Sequence, residues 1–110
     1  MALINFTQTE SGSHYDRFNI ATWVLATGDT AAPIQLAMSG DRSVQVSAAA
    51  TIEGSNDGVT YFTLNDASGS PLALAGPGLK QILEITRWIR PAGAAIGSVT
   101  ITLLAKRQED

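Results

Sequence analysis

The sequence predicts an all-β protein: an antiparallel β-sandwich, jelly-roll or immunoglobulin-like, with an extended N-terminal arm. Three observations predict it. Residues 51–64, TIEGSNDGVTYFTL, set two alternating segments around Asn56-Asp57-Gly58, residues that a tight hairpin turn requires. Short alternating segments recur along the chain with turn residues between them. No stretch carries a helix-length amphipathic period. At 110 residues the chain has material for one domain and one core.

The elements follow in order. Residues 1–19 are polar and irregular apart from Leu3, Ile4 and Phe6, and they read as an arm outside a sandwich of residues 20–110. Such a segment is either a disordered tail or an arm that orders on a partner. Residues 20–27 place Trp23 and Leu25 on one face and Ile20, Thr22 and Val24 on the other. Residues 33–38 alternate Ile34, Leu36 and Met38 against Gln35 and Ala37, and residues 43–48 point Val44 and Val46 inward. In the hairpin, Ile52 and Gly54 share a face opposite Thr51, Glu53 and Ser55, and Gly58 is expected at positive φ. Residues 65–71 form a second turn, and residues 72–75 a short strand ended by Gly76-Pro77-Gly78. Residues 79–83 favour a strand over a single helical turn, and residues 87–90 and 98–106 complete the set. The last is the clearest, with Val99, Ile101, Leu103 and Ala105 opposite Thr100, Thr102, Leu104 and Lys106. The polar Gln108, Glu109 and Asp110 stop it from pairing further. Alternation makes Val44, Val46, Ile52, Leu64, Ile89, Val99, Ile101 and Leu103 the expected core.

Composition narrows the function. The chain is 45% hydrophobic but only 6% aromatic, and much of the apolar content is alanine, so the core is expected to be thin and helped by association. Without cysteine there is no disulfide, thiolate zinc site or cysteine nucleophile. The net charge is −3 and the basic residues are dispersed, which disfavours nucleic acid. No apolar run is long enough to span a bilayer, and the start, MALINFTQTE, lacks a signal-peptide pattern, so neither a membrane nor a secretory route is expected.

Candidate chemistry is sparse. His14 is the sole histidine, beside Ser13, Tyr15, Asp16 and Glu10, in a segment with no scaffold to converge metal ligands. Ser13, His14 and Asp16 are sequence neighbours and cannot adopt the geometry of a catalytic triad. Asp57, Asn65 and Asp66 sit in turns, whose chemistry already explains them without calcium. Asn5-Phe6-Thr7 matches a glycosylation sequon that lacks a secretion signal. Trp23, Trp88 and Tyr61 are the residues for a sugar-stacking platform, although Trp23 lies in an apolar strand and reads as core. Trp88 and Arg90 share one face opposite Ile89. That face either docks a protein partner, for which both residue types are enriched, or packs the Trp88 ring at the sandwich edge. No enzyme and no cofactor are expected. The candidate partner-binding residues are Leu3, Ile4, Phe6, Trp88 and Arg90.

Two resemblances add to this reading. The string IEGSNDGVTYFTL resembles a hairpin of discoidin-like (F5/8 type C) β-sandwich domains, where it is scaffold. A longer run, DRSVQVS, TIEGSNDGVTYFTLND, LKQILEITRWIRP and SVTITLLAKR, covers residues 41–107 and resembles small β-sandwich virion proteins of tailed bacteriophages. Some of those are head decoration, or cement, proteins. That resemblance implies a non-enzymatic structural protein, made in the host cytoplasm and sited on the capsid exterior. It implies the major capsid protein and further copies of this chain as partners. A homotrimer is the expected assembly, with the apolar Ile34, Leu36 and Leu104 packing between subunits. The arm lies outside the resemblance, and its Leu3, Ile4 and Phe6 ahead of a polar stretch make it the expected capsid-binding element. The alternative is a discoidin-like carbohydrate-binding module or a tail- or fibre-associated adhesion domain.

Overall fold

A computed structural model describes residues 3–12, 17–36, 39–92 and 95–107. The described residues form twelve strands: β1 (Leu3–Ile4), β2 (Thr7–Gly12), β3 (Arg17–Leu25), β4 (Thr30–Ala31), β5 (Ile34–Gln35), β6 (Ser39–Val46), β7 (Ala50–Ser55), β8 (Phe62–Thr63), β9 (Ala73–Leu74), β10 (Gly78–Ile82), β11 (Trp88–Pro91) and β12 (Val99–Arg107). The first sheet has the order β10-β6-β12-β3-β2, and the second runs β5-β11-β7-β8 with β9 also paired to β7. Pairing is antiparallel throughout both sheets, and β1 lies parallel to β4 as a separate small ribbon.

Alternation decides which face is buried. In the first sheet Ala21, Trp23 and Leu25 of β3, Val44 and Val46 of β6, and Val99, Ile101, Leu103 and Ala105 of β12 point inward. From the second sheet Ile34, Ile52 and Ile89 meet them, with Leu64 and Leu72 closing the same cluster. All eight residues expected in the core lie there, and burying each relative to solvent contributes on the order of 1.5–3 kcal/mol. Trp23 is 1% exposed, and its indole Nε1 donates to the Ala32 carbonyl at 2.8 Å, so the largest core side chain is satisfied as it is buried.

The N-terminal residues are not an arm apart from the sandwich. The expected division between residues 19 and 20 falls inside β3. Strand β2 pairs with β3 from Thr7↔Thr22 to Gly12↔Arg17, and the Ile4 carbonyl accepts from Ala32 N at 2.9 Å. Ile4 and Phe6 pack against the core, with the Phe6 ring edge-on to Trp23 at 5.7 Å between centroids. The segment looked structureless because β2 is an outermost strand: Thr7, Gln8 and Thr9 are all exposed, so neither parity needs apolar residues.

Three other expectations change. Ile34 and Leu36, expected to pack between subunits, are core residues. Of the strand expected over residues 33–38, only Ile34–Gln35 is paired, and Ala37 and Met38 lie outside the described residues. The Asn56-Asp57-Gly58 connection is wider than a tight turn, because the last pair is Gly54↔Phe62 and residues 55–61 form a loop. The polar end, Gln108 to Asp110, and the cluster around His14 also lie outside the described residues.

Candidate interaction surface

The loop of residues 55–61 is built by two side chains. Asp57 Oδ1 accepts from Val59 N at 2.8 Å, Thr60 N at 2.9 Å and Ser55 Oγ at 2.8 Å. The Ser55 hydroxyl oxygen in turn accepts from Gly58 N at 2.9 Å and Asp57 N at 3.2 Å. The Thr60 and Val59 amides, then Ser55, stabilise the ionised carboxylate and hold its pKa down at about 2. Gly58 has φ +79°, as expected, and a Cβ there would sit 3.0 Å from the Trp88 indole nitrogen. Backbone therefore packs directly on the ring, a close approach that only glycine permits.

The loop lies over the outer face of the second sheet and occupies the residues expected there to bind a partner. Trp88 and Arg90 do share a face opposite buried Ile89. Gly58 covers the Trp88 ring, however, and Arg90 Nε donates to Glu53 Oε1 at 2.7 Å while its guanidinium stacks on Tyr61, 3.7 Å from the ring centroid. The pair is engaged by its own chain, and so is Tyr61. With Trp23 in the core as well, the three aromatics form no sugar-stacking platform. Of the N-terminal candidates, Ile4 and Phe6 pack on the core and Leu3 is exposed.

Other ionisable groups are likewise committed to local structure. Asp66 Oδ1 accepts from Ser68 Oγ at 2.7 Å, Ser68 N at 2.9 Å and Ser70 N at 3.0 Å; the Ser68 hydroxyl first, then the Ser70 amide, lower its pKa. Glu84 receives Asn65 N at 2.8 Å and Asn65 Nδ2 at 2.6 Å. Burial opposes its ionisation, and those two bonds outweigh it, leaving the pKa lowered. Arg42 is buried, so desolvation lowers its pKa against the pull of Asp41. It donates to Gly40 O at 3.0 Å and to Thr86 O at 2.7 Å, tying β6 to the crossover that links the sheets. Among the described residues no three His, Cys, Asp or Glu side chains converge as metal ligands, and no helix is long and apolar enough to cross a membrane. A cavity of about 220 Å³ opens at one end of the sandwich, but Leu25, Ala50, Leu74, Pro91, Ile96 and Val99 line it without a reactive group.

The outer face of the first sheet is different. Its cross-strand rows are Leu79, Gln45, Thr102, Thr22 and Thr7, and Gln81, Ser43, Leu104, Ile20 and Thr9, with Val24 beside Thr100. None of these residues is charged. Charge enters only at the end of the face, with Asp41 and Lys106 around a depression that also holds Phe18 and Leu104. Leu79 and Val24 are exposed and nothing of the described chain covers them. Strand alternation contains this surface, but the register that assembles it across five strands is invisible before folding.

No protein-family model and no curated protein matches the sequence. Solved structures do resemble the fold. A cupin domain from Bordetella pertussis Tohama I aligns over 99% of this chain and 99% of its own, at 10% identity and TM-score 0.51. An RmlC-like cupin protein from Desulfovibrio desulfuricans aligns over 92% of this chain and 82% of its own, at 9% identity and TM-score 0.49. The SPBc2 prophage-derived protein YomS aligns over 81% of this chain and 94% of its own, at 9% identity and TM-score 0.47. Identity this low speaks for architecture alone: the chain is an all-β sandwich, similar in fold to the jelly-roll of the Bordetella cupin domain.

Proposed function

We propose that this protein is a non-enzymatic head decoration protein of a tailed bacteriophage, binding the major capsid protein through the outer face of its first sheet. The observation that carries the reading is the absence of charge from the central rows of that face, where Asp41 and Lys106 stand only at one end. Depletion of charged residues is the compositional mark of an interface core, whereas an ordinary solvated sheet face carries Lys and Glu. The ordered likeness of residues 41–107 to phage virion sandwiches supplies the partner. Five strands about 4.8 Å apart make a strip roughly 20 Å across, small for a stable pair of proteins. Repetition over a lattice compensates, and a homotrimer on threefold or quasi-threefold positions multiplies each contact. The chain would be made in the host cytoplasm and reside on the capsid exterior.

The test is co-sedimentation of the full chain with heads assembled from the capsid protein of the same phage, beside Thr102→Lys, which puts a charge at the centre of the face. The wild type is expected to sediment with heads and the variant to remain in the supernatant while folded. Equal binding by both would move the contact elsewhere, and no binding by either would refute the reading. Light scattering of the free protein and of protein eluted from heads tests the trimer.

A further inference from the structure

Asp57–Gly58 is the one Asp–Gly pair in the sequence, and the sequence has no Asn–Gly. In that dipeptide the glycine nitrogen can attack the aspartic acid Cγ. A C–N bond forms, the carboxyl C–OH bond breaks, and water leaves with the amide proton. The five-membered imide then takes up a water molecule. Opening at the former main-chain carbonyl routes the backbone through Cγ and leaves isoaspartate, with no change in mass. Glycine permits this because no side chain blocks its nitrogen.

We propose that Asp57 is this chain's site of spontaneous isomerisation, held unreactive while residues 55–61 lie closed over Trp88 and released when that loop opens. Both reacting groups are restrained by one side chain. Gly58 N–H, the nucleophile's nitrogen, donates to Ser55 Oγ, and the same hydroxyl donates to Asp57 Oδ1. Val59 N and Thr60 N hold that oxygen from the other side, so the carboxylate is turned to the amides after Gly58. Gly58 itself is pressed on the indole, which prevents the peptide from swinging toward Cγ. The neutral acid is the form that loses water. With the pKa lowered from 3.8 to about 2, it is also scarcer than in an open chain. Opening the loop removes all of these restraints together.

The product does not fit the closed loop. Isoaspartate lengthens the backbone by a methylene and moves the free carboxylate onto the α-carbon, away from the Val59 and Thr60 amides. One opening event of sufficient length would therefore leave Trp88 uncovered for good.

The experiment ages the full chain at neutral pH, folded and in urea, and quantifies isoaspartate at residue 57 by peptide mapping with electron-based fragmentation. Because protection follows the population of the open loop, the folded wild type should isomerise at least about tenfold more slowly than the unfolded chain. Ser55→Ala, checked to be folded, should fall between the two. Equal rates in folded and unfolded wild type overturn the proposal, whether or not the variant folds. So does a folded Ser55→Ala protein that ages no faster than the wild type.

Discussion

The two sheets turn very different outer faces to the outside. On the second sheet the Trp88–Arg90 row is engaged by its own chain, with Gly58 on Trp88 and with Arg90 held between Glu53 and Tyr61. The first sheet carries uncharged Thr, Gln, Ser, Ile, Leu and Val side chains across five strands, and no described segment folds over them. Trp and Arg in a strand invite an interface reading, yet here both are engaged by their own chain. The plain threonine rows are what remains open. Residue types that dominate interfaces also serve well inside a monomer, and an interface reading has to ask first what the chain itself places on them.

Several perturbations would break or sharpen this contrast. Deleting residues 3–12 should be the most damaging, since it removes the β2 edge of the first sheet and strips Phe6 and Ile4 from the core around Trp23. A loss of at least ~3 kcal/mol in urea unfolding is expected, comparable to truncating one large core side chain. An undiminished midpoint would return these residues to the status of an arm. Gly58→Val comes next: a β-branched residue at φ +79° meeting the indole at 3.0 Å should cost about 1–3 kcal/mol and shift Trp88 fluorescence. A variant with wild-type stability would mean the loop does not rest on the ring.

Arg90→Ala removes a half-exposed ion pair and a cation–π contact. Solvent screening limits the expected loss to about 0.5–1 kcal/mol, reduced further in salt. Acid reports on Asp57. Its pKa is lower folded than unfolded, so its stabilising contribution is complete above 3.8 and fades as pH falls through that value toward about 2. Asp57→Asn should therefore be less stable than the wild type near neutrality, with the difference shrinking over that acid range. A constant difference would assign the loss to something other than ionisation. Smallest of all, Thr102→Lys should change stability by no more than about 0.5 kcal/mol, because it alters a surface row of the uncovered face. A large loss would reveal that the face is structurally committed after all.

What could be read in advance followed burial. Strand β12 alternates without interruption because one side of every residue pair meets the core, and Val99, Ile101, Leu103 and Ala105 are all buried. Gly58's conformation was legible from turn chemistry alone. Strand β2 was not, since a strand with solvent on both parities leaves no hydrophobic period to detect. Nor was the cover over Trp88, which depends on Ser55 and Asp57 forming a seven-residue loop instead of a tight turn. The uncharged face was present in every strand as the non-core parity, but only the registers Thr102↔Thr22 and Thr102↔Gln45 bring those halves together.

Strand β12 also has a consequence in time. It lies between β3 and β6 at the middle of the first sheet, yet it is the last of the twelve to be synthesised. While the ribosome works from β6 to β12, at roughly 5–20 residues per second, the two flanks exist for several seconds with no strand to join them. Through that interval Ala21 and Trp23 on one side, and Val44 and Val46 on the other, await the same missing neighbour. Each flank presents an open edge to every other nascent chain nearby. Folding must then close a contact between distant parts of the chain, a slow kind of pairing. That closure has to outrun edge-to-edge association between nascent chains. The polar composition of β2, which ends one side of the sheet in Thr-Gln-Thr-Glu, is suited to discouraging it.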